Sequence, residues 1–319
     1  MAQVVSVICS SHTPGFMVPP ERWDALHAGR MDQRARPLPA DLRAKLEAET
    51  PEVTKKHHAA CIAALGRLRD FFQAAKPDLV VMFGDDQNEN FHAGNMPPFC
   101  VFTCKSTFGY PWKLLKTVYG EEPGPRFDVP GQPEIATSLV RAAAEKGFDL
   151  SWSSEFPDKD WGLPHSMIRM VEKLDIKVPV IPVHINAFEE PTATPRRCFQ
   201  LGQMMKEVFE EILPRDLRLA IIGSGGLSHE AAGENAGWID AEHDQWVLQQ
   251  IRRGDYESLA TLTNQDLTRC WDQELRNWLA ALPFVNGATP AYLEYVLSYR
   301  SLVGNAFAAW TFPGAKIGA

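Results

Sequence analysis

Pro77-Asp78-Leu79-Val80-Val81-Met82-Phe83-Gly84-Asp85-Asp86-Gln87 is the stretch that decides the fold. Proline and aspartate open it, an apolar run follows, and Gly84 hands over to three polar side chains. A short, uninterrupted apolar run bounded by turn residues reads as a strand buried on both faces, the pattern of an inner strand in an α/β sheet. The polar residues then lie just past its carboxyl end, where open α/β sheets bind ligands. Two adjacent carboxylates at such a place can turn one charge toward a cation and keep the other behind it. A solvated loop is the competing reading.

Working outward, Gln3–Ser10 is another β-branched apolar run and reads as a buried strand. Val53–Ala75 carries Ile62, Leu65, Leu68 and Phe72 at helical spacing. Strands are expected at Phe99–Cys104, Leu150–Ser153, Val178–Ile185 and Leu217–Gly223. Helices are expected at Pro133–Lys146, around Met167–Lys173, at Pro195–Leu213 and at Ala241–Arg253. The alternation predicts an α/β layered domain with a central mixed sheet flanked by helices and a helical C-terminal region, ending at Ala306–Phe312. The order of the strands is not readable from this. Residues 1–319 read as one domain, without internal repeat or linker. Residues 18–50, rich in Pro, Arg and Asp, read as a lid-like insertion with a short helix at Pro39–Ala48.

Composition narrows the function classes. Of 319 residues, 45% are hydrophobic and 23% charged, so a packed core is expected. The net charge of −8 comes with no basic stripe, which argues against nucleic acid. No apolar run reaches the ~20 residues of a membrane span. The N-terminus runs into a strand without a basic leader, so no signal peptide is expected. The six cysteines read as buried free thiols in a reducing cytoplasm. No G-x-G-x-x-G follows the first strand, which argues against a nicotinamide enzyme.

Several polar residues fall at strand ends. His12 follows the first strand and is placed to ligate a metal, or is a turn histidine. Gly223-Ser224-Gly225-Gly226-Leu227-Ser228-His229 follows a late strand. Its glycines allow close backbone approach, and His229 is a candidate general acid–base. The run lacks the lysine ending of a phosphate loop. Glu274 sits among Trp271 and Trp278 as a ligand or a solvated helix residue. His165 follows Gly162-Leu163-Pro164, and His184, inside an apolar run, reads as a core histidine or as one that points into the site.

Together these motifs resemble the class III extradiol ring-cleavage dioxygenases, the family of the protocatechuate 4,5-dioxygenase catalytic subunit. The likeness rests on Ser10-Ser11-His12-Thr13-Pro14, Pro77 to Asp86, Val180-Ile181-Pro182 with Asn186, Arg197 to Gly202, Gly225 to His229, and Gln273-Glu274-Leu275 with Trp278. It implies an Fe(II) enzyme whose partners are an aromatic diol and O2. Protocatechuate, gallate and 3-O-methylgallate are the expected substrates. His12 and Glu274 match metal ligands, and His229 matches the catalytic histidine. Two departures stand out. The family's second metal histidine corresponds to Gln87. Either Gln87 or Asp86 fills that place, or His57, His58 or His92 replaces it, or the site does different chemistry. The Gly-Asp-Asp-Gln pattern resembles a branch alongside 3-O-methylgallate-type enzymes. The family's Asp-His-Gly segment reads Asp160-Trp161-Gly162 here, with His165 taking over the hydroxyl contact and Trp161 stacking on a ring. A homodimer active without a second polypeptide is expected. The alternatives are a Zn2+ or Mn2+ hydrolase on the same scaffold and a non-catalytic subunit.

Overall fold

A computed structural model of the chain describes residues 3–32, 37–115, 124–230 and 233–312. Its strands are β1 Gln3–Ser10, β2 Leu79–Gly84, β3 Phe99–Phe102, β4 Ser106–Gly109, β5 Phe127–Pro130, β6 Ser151–Ser153, β7 Val180–Ile185, β8 Arg218–Ser224, β9 Tyr292–Ser298 and β10 Val303–Thr311. Eight of them form one mixed sheet in the order β6-β3-β7-β2-β8-β1-β10-β9, and β4 pairs with β5 separately. The inner strands β7, β2, β8 and β1 run parallel, so their carboxyl ends share one edge. Register aligns that edge: Ser10 lies opposite Ser224, Phe83 opposite Gly223, and Gly84 opposite His184.

Strand alternation divides the interior into two cores. Val81 and Phe83 join Val7 and Cys9 on the face covered by the Pro195–Ile212 and Leu275–Ala281 helices. Val80 and Met82 join Ile8 on the face covered by the Pro51–Ala75 and His165–Leu174 helices. Each such buried side chain contributes roughly 1.5–3 kcal/mol, which is why β2 carries no polar residue before its end.

Where the structure departs from expectation, the reason is local. The C-terminal region carries the expected helices as far as Leu275–Ala281, but its strands begin earlier than Ala306: β9 and β10 form an antiparallel pair that extends the sheet beside β1. Tyr292–Ser298 is a mostly half-buried strand at the sheet's edge, where burial gives a weak pattern. Ile62 is 42% exposed, and Cys61, Leu65, Leu68 and Phe72 carry the buried face of their helix instead. The 18–50 insertion holds the expected helix at Ala40–Ala48 and a further one at Trp23–Met31. Trp23 fixes the second, its indole N–H donating to the Gly15 and Val18 carbonyls.

Among the described residues no helix is long and apolar enough to cross a membrane. All six cysteines are buried and free.

Candidate active site

The shared strand edge gathers side chains far apart in sequence. His12 comes from the turn after β1, Asp85 and Gln87 from the turn after β2, and His229 from the loop after β8. Glu274 does not lie within a helix: it is the residue just before the Leu275–Ala281 helix. The glycine run explains its closeness. A Cβ on Gly225 would lie 2.7 Å from the Glu274 carbonyl oxygen and 2.8 Å from its Cβ, so only glycine lets these segments meet. Trp278 fastens the contact by donating its indole N–H to the Gly225 carbonyl at 2.9 Å.

The proton arrangement around His12 suits a metal ligand. Ser224 Oγ donates to the Ser166 carbonyl at 2.5 Å, so towards His12 Nδ1, 3.1 Å away, it acts as acceptor. Nδ1 therefore carries the proton, and Nε2 presents a lone pair 3.5 Å from Glu274 Oε1. Glu274 Oε2 accepts from the Gly226 N–H at 2.6 Å, leaving Oε1 in the centre. Asp85 Oδ1 accepts from Asn277 at 2.9 Å. Ligand atoms of His12, Asp85 and Glu274 all lie within 4.8 Å of one another, and all three residues are buried. Two buried carboxylates facing one imidazole lone pair fit a divalent cation, which would relieve their mutual repulsion. Burial, followed by the Glu274 charge, pushes Asp85 up to about 6. Burial also acts to raise Glu274, but the neighbouring His12 and His229 imidazoles hold it well below the usual carboxylate range.

Gln87 reaches the same centre. Its amide nitrogen lies 3.2 Å from Asp85 Oδ2 and 3.4 Å from Glu274 Oε1. A half-turn of the amide puts Oε1 in that place. Asp86, expected beside it as a ligand, is not brought to the centre. Its carboxylate accepts from the backbone N–H groups of Glu89, Asn90 and Phe91 and from the Asn90 side chain. It ties the loop, and its neighbour Asp85 faces the cluster. The histidines considered as substitutes stay away: His57 lies 3.8 Å from Glu49, His58 packs on Trp23, and His92 is exposed. His184 is buried in β7 against Phe91.

Two further histidines line the pocket that opens over the cluster. His229 Nδ1 donates to the Leu227 carbonyl at 2.7 Å, and Nε2 lies 3.5 Å from Glu274 Oε1. Burial works to lower its pKa, but the Glu274 charge and hydrogen bond outweigh it and raise it to about 9. His165 packs edge-on to His12, with ring centres 5.1 Å apart. Its Nδ1 lies 3.0 Å from Glu89 Oε2, and its backbone N–H also donates to that carboxylate. Burial, then the Arg169 charge, lowers His165 well below its ordinary value, while burial raises Glu89 to about 7. The pocket thus holds one imidazole that favours its proton and one that favours being neutral. Trp161 is absent from the pocket wall; Lys113 Nζ lies 4.1 Å over its ring.

The sequence reading placed the Asp85–Asp86 pair at the site but chose Asp86 as the ligand, and it did not single out Asn277, Glu89 or Arg169. Asn277 had a signal, since it follows Glu274 by three residues. The Glu89–His165 pair spans 76 positions and had none.

Residues 45–309 match the family described as the catalytic LigB subunit of aromatic ring-opening dioxygenase, and the chain belongs to that family. It is 35% identical over 170 residues to a 2,3-dihydroxyphenylpropionate/2,3-dihydroxicinnamic acid 1,2-dioxygenase of Mycolicibacterium paratuberculosis, covering 52% of this chain and 48% of the relative. A relative of the same name from Cupriavidus necator is 27% identical over 300 residues, covering 79% of this chain and 88% of the relative. The matched region thus spans about half the length of the mycobacterial relative. An uncharacterized protein of Escherichia coli K12 aligns over 95% of this chain and 99% of its own at 13% identity, with a TM-score of 0.45.

Proposed function

We propose that this chain is an extradiol ring-opening dioxygenase acting on a catechol that bears an acid side chain. The observation that carries the reading is the buried His12–Asp85–Glu274 cluster flanked by two histidines of opposite proton preference. Pairs of titratable groups whose surroundings push them apart mark an acid and a base. The names of the relatives favour a dihydroxyphenylpropionate-like substrate over gallate or protocatechuate.

Non-haem Fe(II) is the proposed metal, held by His12 and Glu274 with Asp85 or Gln87 completing the set. When bound, it would supply a single centre on which the diol and O2 are held together. His165, with Nδ1 donating to the Glu89 carboxyl group, has Nε2 free to accept the proton of a substrate hydroxyl. His229 holds a proton on Nε2 to give up later. This divides between two residues the task first expected of His229 alone. Leu26, Leu114, Leu302 and Val303 line the pocket and exclude water from the ring.

A hydrolase using Zn2+ or Mn2+ is the second reading, favoured by the oxygen-rich donors Asp85 and Gln87. The two are separated by His229→Ala and His165→Ala variants loaded anaerobically with Fe(II). Both should keep metal content near one ion per chain. Both should lose ring opening by at least ~100-fold, the usual scale of general acid–base catalysis. Ring opening within a few-fold of the parent in either variant would remove that histidine from the scheme.

A further inference from the structure

Two arginines in the pocket have no task in the scheme above. Arg169 is fully buried on the His165–Leu174 helix. Its Nε donates to the Pro111 carbonyl at 3.1 Å and its Nη1 to the His12 carbonyl at 2.9 Å. Its Nη2 is buried and has no hydrogen-bond partner. Arg30, from the Trp23–Met31 helix of the insertion, lines the same pocket and is half-buried. Among the described residues its side chain makes no ion pair or hydrogen bond. A guanidinium is a planar fork of donors, and leaving one buried and unsatisfied is costly. The pocket thus holds two guanidinium groups, and among the described residues neither forms an ion pair.

We propose that Arg169 and Arg30 form a carboxylate subsite that takes the acid group of the substrate's side chain while the ring lies against the apolar wall. The assignment rests on the aromatic-diol reading above and adds the residues that select for the acid. A carboxylate has the planar pair of acceptors that matches guanidinium donors. A dianion such as phosphate fits less well, because the buried Glu89 and Glu274 carboxylates share this region. Arg30 belongs to the insertion, which gives that segment a role in selectivity.

The test is calorimetric titration of the full chain, stripped with a chelator so that no metal competes for the carboxylate. The probes are 3-phenylpropanoate, its neutral amide 3-phenylpropanamide, and inorganic phosphate. The parent should bind the acid about tenfold or more tightly than the amide, the scale of a charge-assisted hydrogen bond. Arg30→Met should bring the two affinities together, and Arg30→Lys should restore part of the gap. Arg169→Met should do the same. If that buried substitution does not fold, the Arg30 variants decide. Equal or absent binding of acid and amide by the parent, an acid preference surviving in Arg30→Met, or phosphate binding tighter than the acid would overturn the assignment. Neither aromatic probe can be ring-opened, so the result is independent of the oxygen chemistry. Acid preference without O2 consumption by any diol would sink only the function reading; ring opening without acid preference would sink only the subsite.

Discussion

Asp85 and Asp86 show how little chemical identity says about role. They are adjacent and alike, yet one faces the cluster and the other ties the following loop. Asp85→Asn should lower divalent-metal affinity about tenfold or more, the scale on which groups at a metal site act. Asp86→Asn should leave metal affinity per folded molecule nearly intact and cost about 1–3 kcal/mol of stability, because its loop N–H groups lose a charged acceptor. Calorimetric metal titration with chemical denaturation of both variants checks this. The reverse pattern would exchange the two roles. The sequence placed a carboxylate pair here but could not orient it, since that depends on which residue meets the loop amides.

His229 supports a second prediction at this scale. Its folded pKa of about 9 lies above its ordinary 6.5. The stability from its pairing with Glu274 is therefore fully present below pH 6.5 and is lost as pH rises through about 9. Glu274 stays ionised across that window. The melting temperature of metal-free protein should fall between pH 6.5 and 9, and His229→Gln should flatten that fall. An equally steep decline in the variant would place its cause elsewhere. Added metal should also flatten it, because a cation engaging Glu274 removes the charge that holds the proton on His229.

Among the elements, the glycine loop after β8 and the helix after Glu274 act as a pair. Gly225→Val would put side-chain atoms where the Glu274 backbone now lies. Overpacking of that kind costs typically 1–3 kcal/mol. Here it should also move the ligand, reducing metal affinity and turnover together. Retained affinity with normal turnover would show that the contact is not what places Glu274. The glycines were legible as a device for close approach, but the partner segment was not, because Gly225 and Glu274 are joined only through the fold. The insertion was legible by its composition, but the contacts that anchor its described part were not. Glu49 accepts from the Tyr299 and Arg300 N–H groups and from Ser298 Oγ, and Asp24 pairs with Arg300. These bonds tie it to the β9–β10 turn, whose Ser301 and Leu302 line the pocket. Glu49→Gln should loosen that anchor and make residues 18–50 more accessible to limited proteolysis, with little change in global melting. Unchanged cleavage would mean that other contacts hold the segment.

Across the whole molecule, the inner parallel strands were readable because burial on both faces writes a continuous apolar run. The outer pair β9–β10 was not, because partial burial thins the pattern. The centre draws on positions from 12 to 274, and no local pattern links them; the common carboxyl edge of β1, β2 and β8 does. Its proton arrangement also depends on the assembled fold, since Ser224 orients His12 only because Ser166 takes its hydrogen. The most direct test of the proposed activity is simultaneous O2 consumption and absorbance on mixing the Fe(II)-loaded chain, without any second polypeptide, with 2,3-dihydroxyphenylpropionate. One O2 consumed for each molecule of a new yellow ring-opened product is the expected result. Diol left intact, despite bound iron and an unchanged melting profile, would contradict it.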